Sequence, residues 1–278
     1  MKLFDRFIPW RTRGDRHWSR DALLRLFAEY LGDERIEELA DKLAPIGDRP
    51  LELPPRFLAI VFASRSGSTY VSRLLSNTDW FVDFNESLNP EQLVAIRQRY
   101  DFADNRQSVQ WMLDNRGTQE AFGYKFGFFG MVTAAHLGFL TETLPQTQFI
   151  RLVRRDRVAQ AISLLRAKLS GRLHSIHPEG KTVSLEDYDA EKIAANVKHV
   201  ARNEKWFGEI LDRLGKPAPI FVYEDICADP EGFVAEICAL LDLPAPEVFE
   251  AEVDLEILRD EISDAWAARF RDERPDIF

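Results

Sequence analysis

A chain of 278 residues with 45% hydrophobic and 12% aromatic content holds enough apolar material for one large domain, or one domain with a helical extension. Its formal net charge of −10 argues against a nucleic-acid binder, whose affinity comes from clustered Lys and Arg releasing counterions, yet a local basic pocket for a small anion remains compatible with it. Two cysteines, Cys227 and Cys238, read as reduced core thiols, and no His, Cys and carboxylate set has metal-ligand spacing, so no metal is expected.

Residues 1–18 lack the apolar run of a secretion signal, and the run at 57–63 is far short of the roughly twenty residues that cross a bilayer. A cytoplasmic location is the expectation. Lys2, Arg6, Arg11, Arg13, Arg16 and Arg20 outnumber Asp5 and Asp15 in this first arm, with Phe4, Phe7, Ile8 and Trp10 between them. It reads first as an arm packed on its own domain or on a partner subunit, as in a homodimer, and second as a peripheral contact with anionic lipid. Ser19 is placed to cap a helix through Ala22, Leu23, Leu26, Phe27 and Tyr30, and Ile36, Leu39 and Leu43 mark a second helix. This helical hairpin ends in a linker carrying Pro45, Pro50, Pro54 and Pro55, which divides an N-terminal extension, 1–55, from a main domain, 56–278.

Beyond the linker, short apolar runs at 57–63, 80–84, 122–126, 148–153 and 219–223 alternate with helical patterns and read as strands. Continuous apolar runs are what a parallel sheet covered on both faces requires. The fold expected is α/β, a P-loop-like open parallel sheet flanked by helices, with the N-terminal helical extension added. Such sheets bind ligands where strand ends meet helix starts.

The first strand runs straight into Ser64-Arg65-Ser66-Gly67-Ser68-Thr69, and Val71, Leu74 and Leu75 continue at helical spacing. A small-residue turn opening a helix offers free backbone N–H groups and the positive end of the helix dipole to an anion. Gly67 permits close approach, while Ser66, Ser68 and Thr69 add hydroxyls. Aligned on Gly67, the nucleotide triphosphatase pattern fails twice, with Phe62 at its first glycine and Ser68 at its lysine. The cation is Arg65, whose guanidinium can fork onto two oxygens of a tetrahedral anion, which suits a phosphosulfate better than a magnesium-bound triphosphate.

A second strand, turn and helix spans residues 149–163. Asp156 is placed to cap the helix, Val158, Ile162, Leu165 and Leu169 form its buried stripe, and Gln160, Ser163, Arg166 and Ser170 share another face. An arginine of the turn and the Ser163 hydroxyl, about two helical turns in, can flank one phosphate. Arg154 and Arg155 compete for that place. After the run at 80–84, the polar loop Asn85-Glu86-Ser87 lies where an acceptor would approach, and Glu86 is the candidate general base for a hydroxyl that loses its proton during attack.

The Arg-Ser-Gly-Ser-Thr turn resembles the 5′-phosphosulfate loop of sulfotransferases that use 3′-phosphoadenosine 5′-phosphosulfate (PAPS), and looks most like the bacterial trehalose sulfotransferase-like family. That resemblance implies PAPS as sulfuryl donor, no metal, and a hydroxyl of a carbohydrate or glycolipid as acceptor. It implies that a strand-ending arginine and a serine eight residues later hold the 3′-phosphate, a spacing that Arg155 and Ser163 have and that the doublet aligns ambiguously. It puts a Glu at the loop of Glu86 and likens Gly123-Tyr124-Lys125 to a segment whose lysine touches the sulfuryl group or acceptor. Tyr223-Glu224-Asp225, Asp229-Pro230, Glu204 and Trp206 are similar to its last strand and preceding helix, and Trp266 and Arg269 to a C-terminal stretch near the nucleotide. The other readings are a nucleotide-binding sensor or scaffold without catalysis, and a degenerate P-loop phosphotransferase.

Overall fold

The computed structural model describes residues 18–171, 181–247, 249–253 and 260–277. The basic arm, residues 1–17, and most of the polar segment after Gly171 lie outside them. Four strands, β1 (Arg56–Phe62), β2 (Ala121–Phe126), β3 (Thr147–Val153) and β4 (Ile220–Val222), form one sheet in the order β2-β1-β3-β4. Every neighbouring pair is parallel, with Leu58 opposite Gly123 and Ile60 opposite both Lys125 and Ile150.

Successive strand side chains point to opposite faces, and here both faces are apolar. Phe57, Ala59, Val61, Phe122, Tyr124, Phe126 and Phe149 belong to one core. The residues between them, Leu58, Ile60, Phe62, Ile150 and Leu152, belong to the other. The helices are α1 (Arg20–Leu31), α2 (Asp33–Lys42), α3 (Ser68–Ser76), α4 (Pro90–Arg99), α5 (Asn105–Arg116), α6 (Phe128–His136), α7 (Phe139–Thr143), α8 (Arg157–Ser170), α9 (Ala190–Arg213), α10 (Tyr223–Ala228), α11 (Pro230–Leu241) and α12 (Glu261–Glu273). The first core takes residues from α1, α2, α4 to α7 and α9, the second from α3, α10 and α11. A third cluster joins α8, α9 and α12 around Trp266 and Phe270.

Ser19 caps α1 by accepting from the Ala22 amide at 3.2 Å, and Gly32, at φ 84°, turns the chain into α2. The hairpin shares the core of the sheet, since Leu23, Leu26, Phe27, Leu39 and Leu43 pack in the same cluster as Phe57 and Phe149. His136, buried at the end of α6, ties it down: one ring nitrogen lies 3.2 Å from an Arg20 guanidinium nitrogen and the other 3.2 Å from the Ile36 carbonyl.

Three readings need correction. Residues 80–84 are not a strand: Phe81 and Phe84 pack edge to face at 5.2 Å, and the Phe84 amide donates to Ser76 Oγ instead of to a ladder. Sheet pairing begins only at Asn85, as one parallel bridge to Tyr124. Tyr223 opens α10 and is not the end of β4. Cys227, on that helix, is exposed and is no core thiol, whereas Cys238 is buried.

Candidate active site

The site lies at the carboxyl ends of β1, β2 and β3. Beyond β1, Arg65 at φ 66° and Gly67 at φ 88° both adopt left-handed backbone. A side chain is barred at Gly67 for a second reason: a Cβ there would lie 2.1 Å from the Tyr223 ring. Gly67 is the N-cap of α3 and no side chain caps that end, so the first-turn N–H groups have no side-chain acceptor. Ser66 is fully buried and its hydroxyl has no hydrogen-bond partner. Ser68 is buried and Thr69 half-buried at the same helix start. Gln160, buried on α8, donates to the Ser64 carbonyl at 2.9 Å and fixes the turn from the neighbouring helix.

Beyond β3, Asp156 caps α8 by accepting from the Ala159 amide at 2.9 Å. Ser163, two turns into this helix, faces the first turn, where Arg65 Nε donates to its Oγ at 2.9 Å. The two anion turns read from the sequence therefore meet in one cleft. Arg154 enters it as well, with Nη1 3.5 Å from the Arg65 carbonyl and its guanidinium 5.6 Å from the Tyr223 ring centre. Its Nε is buried, lies 3.7 Å from Glu224 and makes no hydrogen bond. Arg155 points the other way, with its side chain 62% exposed and 2.5 Å from Asp225. Burial, reinforced by the charge of Arg154, pushes the Arg65 guanidinium below its ordinary pKa. An anion bound beside Arg65 would offset that desolvation.

On the β2 side, Lys125 Nζ lies 3.7 Å from Glu86 Oε1 and 5.9 Å from the Phe62 ring centre. Lys125 is buried, and desolvation lowers its pKa although the Glu86 carboxylate works against that shift. A carboxylate and a buried amine thus flank one another at the end of the strand beside β1, on the sheet face that Phe62 shares with α3.

Trp266 and Arg269 do not join this constellation. Trp266 is 1% exposed in the α8–α9–α12 cluster, and Arg269 bonds Glu273 at 2.7 Å over the Tyr188 ring at the surface. Three contributors escaped the sequence reading: Tyr223, which packs on Gly67, Gln160 as a brace, and Arg116, which contacts the Glu86 loop. Gln160 left a signal by sharing a helix face with Ser163, and Tyr223 by its place in the resemblance to the family's last strand. Among the described residues no group of His, Cys, Asp and Glu is arranged to hold a metal ion, and no helix is long and apolar enough to cross a membrane.

The four-stranded parallel sheet flanked by helices, with Arg65, Arg154 and Ser163 gathered at its strand ends, defines the class as an open α/β fold. The family model of the Stf0 sulphotransferases matches residues 130–273, just over half of the chain, and the chain belongs to that family of sulfotransferases. The matched stretch contains Arg154, Arg155 and Ser163, and the Gly67 turn, Glu86 and Lys125 precede it. Two solved structures are similar to it. A sulfotransferase from Alicyclobacillus acidocaldarius is 18% identical with a TM-score of 0.48, over 82% of this chain and 95% of that one. The sulfotransferase domain of the Synechococcus PCC 7002 olefin synthase is 16% identical with a TM-score of 0.44, over 81% and 90%. No curated protein matches the chain significantly in sequence.

Proposed function

We propose that this sulfotransferase takes its sulfuryl group from PAPS and delivers it to a hydroxyl of a carbohydrate or glycolipid. The observation that carries the donor is the hydrogen bond between Arg65 and Ser163, which brings a phosphosulfate-type turn and a phosphate-type turn within reach of one molecule charged at both ends. The residues fit such a donor: the buried Ser66 hydroxyl and Arg154 Nε make no hydrogen bond among the described residues, and both belong to these turns. Arg65, the hydroxyls of Ser66, Ser68 and Thr69 and the α3 amides would hold the 5′ end, and Ser163 with Arg154 the 3′-phosphate.

When bound, PAPS supplies the activated sulfuryl group. Glu86 takes the proton from the attacking hydroxyl as the new oxygen–sulfur bond forms. Arg65 and the loop amides stabilise the negative charge left on the phosphate oxygen as the old bond breaks. Lys125, with Nζ 3.7 Å from Glu86, meets the transferring group on its charged side.

The test is incubation of the protein with 35S-labelled PAPS and a panel of monosaccharides, disaccharides and extracted glycolipids. Label in a sugar product, lost at least 100-fold in Glu86→Gln with nucleotide affinity preserved, is the expected result. Nucleotide binding with no transfer to any acceptor would favour a sensor, and magnesium-dependent hydrolysis of nucleoside triphosphates a phosphotransferase.

A further inference from the structure

Around Asn85 the chain runs beside β2, with Asn85 bridged to Tyr124 and the Lys125 amide donating to the Asn85 carbonyl at 3.0 Å, and a turn follows in which the Asn89 amide donates to the Glu86 carbonyl at 2.8 Å. Extended backbone sends alternate side chains to opposite sides. Phe84 and Glu86 point to the side of Gly123 and Lys125. Asp83, Asn85 and Ser87 point to the other, where all three meet Arg116 at the end of α5. Arg116 Nε lies 3.4 Å from Asp83 Oδ2, and Nη1 lies 3.4 Å from both Asn85 Oδ1 and Ser87 Oγ. The three polar residues also bond among themselves, Ser87 to Asn85 and Asn85 to Asp83. The Asp83 amide bonds the Arg116 carbonyl at 3.3 Å, and the Trp111 ring centre lies 5.5 Å from the guanidinium.

The segment is held to its sheet by one bridge, and at Phe84 by the ring on Phe81 and the amide on Ser76; beyond these, a slip of one residue would turn Glu86 away from Lys125. From this we infer that Arg116 is a positioning residue: by gripping three alternate side chains at once, it locks the register that presents Glu86 to the acceptor. The inference rests on Glu86 being the proton acceptor.

Two measurements test it. In Arg116→Met, hydrogen exchange at the Lys125 amide should speed up at least 10-fold, while amides in the middle of β1 and α5 keep their protection. With labelled PAPS and the most responsive sugar of the panel, kcat should fall about 10- to 100-fold with the KM for PAPS unchanged within about 2-fold, as expected when a reacting group is misplaced. In the Glu86→Gln background the same substitution should cost less than about 3-fold, because the group it positions is already disabled. Asp83→Asn, a milder change, should move both readouts in the same direction if Arg116→Met does not fold. Unchanged kcat, unchanged Lys125 exchange, or a full additive loss in the Glu86→Gln background would overturn the inference. Full activity of Glu86→Gln alone would remove Glu86 from the chemistry and this inference with it, and would leave the donor site, read by nucleotide affinity, standing.

Discussion

Gly67 is held by two independent constraints, a left-handed backbone at φ 88° and the Tyr223 ring against its α-carbon. Gly67→Ala should therefore destabilise the fold by about 1–3 kcal/mol from backbone strain alone and reduce nucleotide affinity at least 10-fold, seen as a lower melting temperature and a weaker calorimetric Kd. The arginine doublet separates just as sharply. Arg154 faces the cleft and Arg155 faces Asp225 and solvent. Arg154→Ala should weaken binding of the desulfated nucleotide at least 10-fold, and Arg155→Ala by less than 2-fold, since an exposed ion pair contributes little. Equal losses from the two would mean that the turn rearranges around the ligand. The sequence identified the doublet but not the choice, because neighbouring residues at a strand exit point to opposite sides. Cys227 was misread for a related reason: with β4 ending at Val222, it falls on the outer side of a short helix.

Among the elements, β1, β2 and β3 were legible because an apolar run buried on both faces has few alternatives. The segment at 80–84 carries the same apolar residues and is not a strand, since a side-chain acceptor, Ser76, takes the Phe84 amide that a ladder needs. That competition is invisible in composition. The segment that does pair, around Asn85, is polar and reads as loop, so the element presenting Glu86 was hidden while Glu86 itself was not. Helix α12 shows the converse. Its resemblance to a nucleotide-proximal stretch pointed to Trp266 and Arg269, yet Trp266 fills the core between α8 and α9. Trp266→Ala should cost about 3–5 kcal/mol in denaturant unfolding while the protein that remains folded keeps its nucleotide affinity within about 2-fold. A selective loss of affinity at full stability would instead put the indole at the ligand.

Across the whole molecule, the sheet, the hairpin and the cleft form one packed body, and the hairpin depends on a titratable contact. Burial, with the nearby Arg20 charge, lowers the pKa of His136 below its ordinary 6.5 although the Ile36 carbonyl favours the charged ring. The folded state therefore binds this proton less readily than the unfolded chain. The stability it contributes is present above about pH 6.5 and is lost as the pH falls from there through the lowered folded value. Partly buried His199, also lowered mainly by desolvation, acts in the same direction. Melting temperature should drop between pH 7.5 and 5.5, and His136→Gln should flatten that slope. The general architecture and the two units β1–α3 and β3–α8 were legible from the chain because each is a local pattern of strand, turn and helix. Their convergence was expected from the two ends of one nucleotide that they match, and it comes about because β1 and β3 lie side by side and bring together Arg65 and Ser163, 98 positions apart. Calorimetric titration of adenosine 3′,5′-bisphosphate into the wild-type protein, Arg65→Ala and Ser163→Ala tests that convergence most directly. One site, with affinity lowered at least 10-fold in each variant, is the predicted result, and unchanged affinity in both would contradict it.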